Sequence, residues 1–352
     1  MKLIKPTKLQ AGDKVAAITL SWGGAATFPD RYALGKKRLE ENFGVQVVLT
    51  RHALREAAWI AANPKARADD LMEAFADPQV KAIFSIIGGE DSIRLLPYVD
   101  LNVIARHPKI FMGMSDTTVT HFMCLKAGLS SFYGPSILAD MDENVEAFPY
   151  MLDSVRRTLF TSEPLGEIAP SDEWTGEMLP WQVPENAKIK RKRHKPLGYQ
   201  VLQGSGVVRG PLIGGCIEVL DWLRGTAVWP VPQQWEGAIL FLETSEENPT
   251  LNQFTRMVRC FAAMGILNCV NGILLGRPMV DPDPALMTQY DVALQKVVRD
   301  ECGLADLPIM TQLDFGHSAP QMVLPYGAEA EIDCERKAFS ILESGVSAAP
   351  AP

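Results

Sequence analysis

Residues Lys109 to Thr118 read Lys-Ile-Phe-Met-Gly-Met-Ser-Asp-Thr-Thr. The apolar run Ile110 to Met112 has strand character, Gly113 and Ser115 follow it, and a helix-like run extends from Thr117 through Gly128. This is the layout of a nucleophile elbow, in which a sharp strand-to-helix turn lifts a serine hydroxyl out of a sheet above a helix N-terminus. A free hydroxyl is a weak nucleophile, so the rest of the chain has to supply a base and an oxyanion site.

Upstream of the elbow, short apolar runs alternate with amphipathic ones. Val15 to Leu20, Val45 to Leu49 and Lys81 to Ile87 read as strands. Asp30 to Phe43 and Lys65 to Ala76 read as helices, stopped by Gly44 and by Asp77-Pro78. Such alternation predicts an α/β fold with a mainly parallel sheet. Ligands of such sheets sit beyond the carboxyl ends of the strands. Gly88-Gly89 and Gly113 would therefore face one crevice.

Downstream, Ser162 to Gly210 is rich in Pro, Glu, Lys and Trp and has little periodicity. It reads as a long loop, and a loop of that length is either disordered or functional. Its basic run, Lys188 to Lys195, reads as a solvated face. A second region begins near Val207, with strands at Ala238 to Leu242, Gly272 to Leu275 and Ile309 to Leu313, helices at Asn252 to Met264 and Asp283 to Asp300, and closing strands at Met322 to Tyr326 and Ala328 to Cys334. The expected division is 1–162 (α/β domain with the elbow), 163–206 (loop or linker), 207–343 (second domain) and 344–352 (disordered tail).

The chain has 352 residues, enough for two cores, and a net charge of -8. That charge argues against a nucleic-acid binder, which needs a basic face. The six cysteines are scattered without a Cys-x-x-Cys pair, which argues against a zinc or redox motif and suits reduced thiols in a cytoplasmic protein. Neither a signal peptide nor a run of about 20 apolar residues is evident, so no membrane partner is expected.

Of the five histidines, His317 fits a base best. It follows a strand and Gly316, where an imidazole has room to reach a hydroxyl. His121 falls on the far side of the elbow helix. The orienting acid should stand at a strand end: Glu243, after Ile239 to Leu242, is one choice, and Asp314 is a rival. Oxyanion donors would be the backbone N–H of Asp116 and that of Gly88 or Gly89.

Taken in order, these pieces resemble the LD-carboxypeptidase family of serine peptidases, which includes muramoyl-tetrapeptide carboxypeptidases and microcin C immunity proteins. The resemblance rests on Arg67 to Leu71, Gly88-Gly89, Gly113 to Asp116, Tyr133-Gly134-Pro135, Gly210 to Gly215, Phe241 to Glu243 and Gly316-His317. It implies a flavodoxin-like N-terminal domain, a swivelling β/β/α C-terminal domain, and a Ser115-Glu243-His317 triad between them. It also implies no metal, no organic cofactor and a homodimer. Gly88 to Pro97 and the loop bearing Trp174 and Trp181 look more like the microcin C immunity branch. There one of the two indoles would stack on the base of an aminoacyl or peptidyl nucleotide. The alternative substrate is a murein tetrapeptide. A reading from another class is a non-catalytic protein that binds a small ligand. Gly215-Cys216 departs from the family's frequent Gly-Asn.

Overall fold

The computed structural model describes residues 2–279 and 284–348. The first half supplies five parallel strands: β1 (Lys14–Ile18), β2 (Gln46–Leu49), β3 (Val80–Ser85), β4 (Ile110–Gly113) and β5 (Phe132–Tyr133). Their spatial order is β2-β1-β3-β4-β5, the flavodoxin-like arrangement. Every residue of β4 is buried. A strand covered on both faces needs an unbroken apolar run, which is what Ile110 to Met112 provides. The helix Pro64–Ala76 packs on β1 and β3, and Pro29–Phe43 packs on β2. Both begin on a proline, whose missing N–H is not needed there.

The second half is built on β6 (Gly166–Ile168), β7 (Gln200–Gln203), β8 (Val207–Cys216), β9 (Ile239–Glu243), β10 (Gly272–Gly276) and β11 (Ile309–Leu313). It is completed by β12 (Leu324–Pro325), β13 (Glu329–Asp333) and β14 (Ala338–Ile341). Eight of these form one sheet in the order β6-β14-β13-β8-β9-β10-β11-β7. Strands β8 to β11 run parallel at its centre, with antiparallel strands on each flank.

The two halves share one core. The helix Thr118–Lys126 buries all of Thr118 to Leu125, so it is covered nearly all round rather than on one face. Tyr133 packs against Phe241 at 5.6 Å and Phe241 against Tyr326 at 5.2 Å, which carries the core from one sheet to the other. An apolar junction of this kind holds two sheets in fixed relation and fixes what lies between them.

Four expectations need correction. The segment 163–206 is not only a linker, because β6 and β7 close the two edges of the second sheet. Strand β12, from the second half, pairs with β5 in the first sheet. These strands have two to four residues, too short for a period to register. The basic run is not simply solvated: Arg191 is paired with Glu143, and Arg193 with Glu173 while lying 4.1 Å over the Phe148 ring. The tail is ordered through Ala348: Val346 is buried and Ser347 bridges to Thr7. Residues 349–352 and the expected helix start at Asp283 lie outside the described residues. No helix among the described residues is long and apolar enough to cross a membrane.

Candidate active site

Ser115 follows β4 with φ of +59°, a left-handed conformation uncommon for a residue with a Cβ and typical of strained functional turns. The turn is held on all sides. Thr117 donates through Oγ1 to the Met114 carbonyl at 2.7 Å, and Thr118 donates through Oγ1 to the Ser115 carbonyl at 2.8 Å. The Ser115 N–H donates to the Tyr133 hydroxyl at 2.9 Å.

Gly88, after β3, passes close beside this turn. A Cβ on Gly88 would stand 2.8 Å from Ser115 Cβ, 3.0 Å from its Oγ and 3.4 Å from Asp116 N. Only glycine permits that approach, so the backbones of Gly88 and Asp116 flank the hydroxyl. Gly89 lines the same cavity. The Asp116 side chain points elsewhere: Oδ2 accepts the Ser92 N–H at 2.8 Å. Burial raises that carboxyl above its usual range.

Glu243 ends β9, and His317 follows β11. Glu243 Oε2 lies 2.7 Å from His317 Nδ1, with side-chain exposures of 1% and 7%. Its other oxygen, Oε1, accepts the Tyr133 hydroxyl. The pairing depends on Gly316, whose φ is +97° and whose added Cβ would stand 2.7 Å from Glu243 Cβ and Oε2. Asp314, the rival orienter, is committed elsewhere. It forms a buried pair with Arg277 at 2.7 Å and accepts from Ser171 N and Oγ.

His317 Nε2 faces Glu246 Oε2 at 3.1 Å. Burial is the largest single influence on the imidazole and lowers its pKa, but Glu243 and Glu246 together outweigh it and leave it well above the usual range. The hydrogen bond from His317 holds Glu246 down at about 2. Among the described residues no hydrogen bond joins Ser115 Oγ to His317, although both line one cavity.

That cavity has a volume of about 810 Å³ and is bounded by Trp22, Phe28 and Trp181 on an aromatic wall. Phe28 meets Trp181 edge-on at 5.4 Å, and Arg31 lies 4.7 Å over the Trp181 ring. Trp174 is not among the lining residues. It is buried, with Arg277 5.0 Å over its ring. Cys216 is also buried off the cavity, its thiol donating to Glu218 at 3.3 Å. His121 bonds the Gly113 carbonyl and Ser131, and burial pushes it down to about 3. On the cavity wall, burial raises Asp140 to about 7, where it accepts from Ser136 N and Gln321 Nε2. Among the described residues no cluster of His, Cys, Asp or Glu is placed to hold a metal ion.

Two residues carry more of this geometry than their sequence context suggests. Tyr133 ends a two-residue strand, and nothing in its neighbourhood marks the hydroxyl as a link. Glu246 sits in a polar turn, where a carboxylate ordinarily points to solvent.

The LD-carboxypeptidase N-terminal domain matches residues 15–134, and the LD-carboxypeptidase C-terminal domain matches residues 209–332. The chain belongs to the LD-carboxypeptidase family. Microcin C7 self-immunity protein MccF of Escherichia coli is 28% identical over 96% of each chain, and a structure of MccF with aspartyl sulfamoyl adenosine superposes with a TM-score of 0.88. An MccF-like protein from Streptococcus pneumoniae, solved with AMP, is 32% identical over 94% of this chain and 98% of its own, with a TM-score of 0.84. The probable murein peptide carboxypeptidase of Bacillus subtilis is 27% identical over 97% of this chain and 95% of its own. Between the two LD-carboxypeptidase domain matches lies 135–208, the stretch that brings Trp181 to the cavity.

Proposed function

We propose that this member of the LD-carboxypeptidase family is a serine hydrolase that cuts an amide or acyl-phosphoramidate bond in aminoacyl or peptidyl nucleotides. Ser115 is the nucleophile, His317 the base and Glu243 its orienter. The observation that carries the reading is the Glu243–His317 pair, 2.7 Å apart, opening on the same cavity as the strained Ser115.

In the first step His317 Nε2, released from Glu246, takes the Ser115 proton as Oγ bonds to the carbonyl carbon. The N–H groups of Asp116 and of Gly88 or Gly89 hold the oxyanion, each such donor being worth about 10²–10³ in rate. Collapse expels the leaving nitrogen, which takes the proton back from the imidazolium. Water then attacks the acyl-serine by the same route. Glu243 keeps Nδ1 protonated and Nε2 free to accept.

The aromatic wall of Trp22, Phe28 and Trp181 supports a nucleotide substrate, since a base stacked on an indole gains about 1–3 kcal/mol. The AMP and aspartyl sulfamoyl adenosine found with the relatives support the same choice. The Bacillus subtilis relative favours a second substrate, a murein tetrapeptide losing its terminal residue. Incubation with an aminoacyl phosphoramidate of adenosine and with murein tetrapeptide separates the two. Ser115→Ala should lose most of the rate on the true substrate while remaining folded. Full activity in that variant, or no adduct between the wild-type chain and a serine-directed phosphonate, would overturn the hydrolase reading and leave a binding protein.

A further inference from the structure

Glu246 occupies the nitrogen that the base needs. Its Oε2 is 3.1 Å from His317 Nε2, the position from which a serine proton would be taken. An imidazole held between two carboxylates is a cation and cannot accept a proton. The contact must therefore open, and the Nε2 proton must pass to water, before the reaction starts.

The surrounding loop lets the side chain move while its backbone stays. Ser245, just before it, is tied through N and Oγ to Glu218 at 2.9 and 2.7 Å. Four residues on, Thr250 and Gln253 form a capping box at the start of the helix Leu251–Ala263, which fixes the loop's far end. The Glu246 side chain itself is 49% exposed and touches the cavity.

The cavity's charges indicate what would draw it off. Glu247 and Glu90 also line it, and among the described residues neither carboxylate has a partner. Both lining arginines are engaged: Arg31 with Asp142 and Asn144, Arg191 with Glu143. An anionic acyl group would meet unpaired carboxylates and find no free cation among the described lining residues. A cationic one would find acceptors at once, and discrimination of this kind is built as much from repulsion as from attraction.

We propose that Glu246 selects substrates by charge: an ammonium or guanidinium on the acyl part of the substrate takes its carboxylate and so frees His317 for Ser115, whereas an anionic acyl part leaves the contact closed. This rests on the hydrolase reading and names the substrate class within it. His317 is faced by Glu243 from β9, by Glu246 from the following loop and by Ser115 across the cavity. Tyr133 bonds Glu243, and Glu218 holds Ser245, the residue before Glu246.

The test uses two adenosine phosphoramidates that differ only in a lysyl or a glutamyl acyl group. The wild-type chain should hydrolyse the lysyl compound with kcat/KM higher by about 10-fold or more, the size of one charge-assisted hydrogen bond. Glu246→Gln should bring the ratio towards one, mainly by improving the glutamyl compound. An unchanged ratio in the variant, or a glutamyl preference in the wild type, overturns the inference. If the wild type cleaves neither compound, the nucleotide-substrate reading fails on its own, and the role of Glu246 is still decided by two other measurements. Titration of the His317 imidazole by NMR should show a lower midpoint in Glu246→Gln. Lysyl sulfamoyl adenosine should bind the wild type more tightly than its glutamyl counterpart, and by a margin that shrinks in the variant. An unmoved midpoint, or equal affinities, overturns the inference.

Discussion

The hydroxyl of Tyr133 accepts the backbone N–H of Ser115 at 2.9 Å. The same hydroxyl donates to Glu243 Oε1. One side chain from the first sheet therefore sets the position of the strained elbow and of the acid at the end of β9. It is wholly buried, so neither partner can turn to water if it is lost. Tyr133→Phe is expected to cost about 1–3 kcal/mol of stability for the unpaired groups. It should lower kcat by about 10- to 100-fold, because small misplacements of reacting groups are expensive. Steady-state kinetics beside a thermal melt checks both. A variant with unaltered kcat would mean that the link does not align the site.

Gly316 sets the distance between β11 and the acid. With φ at +97° and Glu243 Cβ 2.7 Å from where a Cβ would lie, Gly316→Ala meets both strain and collision. Gly128→Ala is the control, because Gly128 has φ of +81° with nothing within 4 Å of its added Cβ. Strain alone costs on the order of 1–2 kcal/mol. Denaturant titration should show Gly316→Ala losing clearly more than Gly128→Ala, with activity falling only in the former. Equal losses with activity retained in both would show that the chain relaxes around the extra methyl group.

The part of this site that sequence makes legible is the part built on strand ends. Ile110 to Met112 must be an unbroken apolar run because β4 is covered on both faces, so the serine after it stands out. Glu243 is conspicuous for the same reason, as a carboxylate closing the wholly buried β9. His317 is marked by the glycine before it. What escapes is set by contacts between distant segments. Strand β12 is two residues long, and its place beside β5 depends on a fold already formed. Arg191 and Arg193 look like a charge run until Glu143 and Glu173 meet them. Trp174 and Trp181 look alike in sequence, yet one packs under Arg277 and the other reaches the cavity. Asp314 stands as a rival to Glu243 until Arg277 takes it.

That difference between the tryptophans has a measurable consequence. Trp181→Ala should weaken AMP binding by about 1–3 kcal/mol, the usual loss when a stacking face is removed, and leave the melting temperature nearly unchanged. Trp174→Ala should do the reverse, since it opens a cavity against Arg277 and costs about 3–5 kcal/mol of stability. Calorimetric titration with AMP and differential scanning calorimetry of both variants decide the matter. Loss of AMP affinity from Trp174→Ala in a chain of normal stability would reverse the assignment.

The Arg277–Asp314 pair predicts stability rather than chemistry. Both side chains are almost fully out of water, at 1% and 0% exposure. Removing one partner of such a pair strands the other and costs about 3–5 kcal/mol. Arg277→Met should therefore lower the denaturation midpoint sharply, while the folded fraction keeps the kcat of the wild type. A large fall in kcat at full folding would instead return Asp314 to candidacy as the orienter.

The contact between Glu246 and His317 sets stability and activity against each other along the pH scale. His317 is raised, so its contribution to stability is fully present below the unfolded value of about 6.5 and is lost as pH climbs through the folded one. Glu246 is lowered to about 2, so its share is present above the unfolded value and is lost as pH falls towards 2. The two windows overlap between about pH 4.5 and 6.5. Activity runs the other way, because a base must be neutral and His317 sheds its proton only above its raised value. The melting-temperature gap between the wild-type chain and Glu246→Gln should be greatest near pH 5.5 and should close at alkaline pH, once His317 has lost its proton, where the wild-type rate is highest. Glu246 is half exposed, so solvent screening keeps the gap small. A gap of the same size at both pH values would mean that the carboxylate and the imidazolium are not paired in solution, and the low-pH loss of rate would then have to come from Glu243 alone.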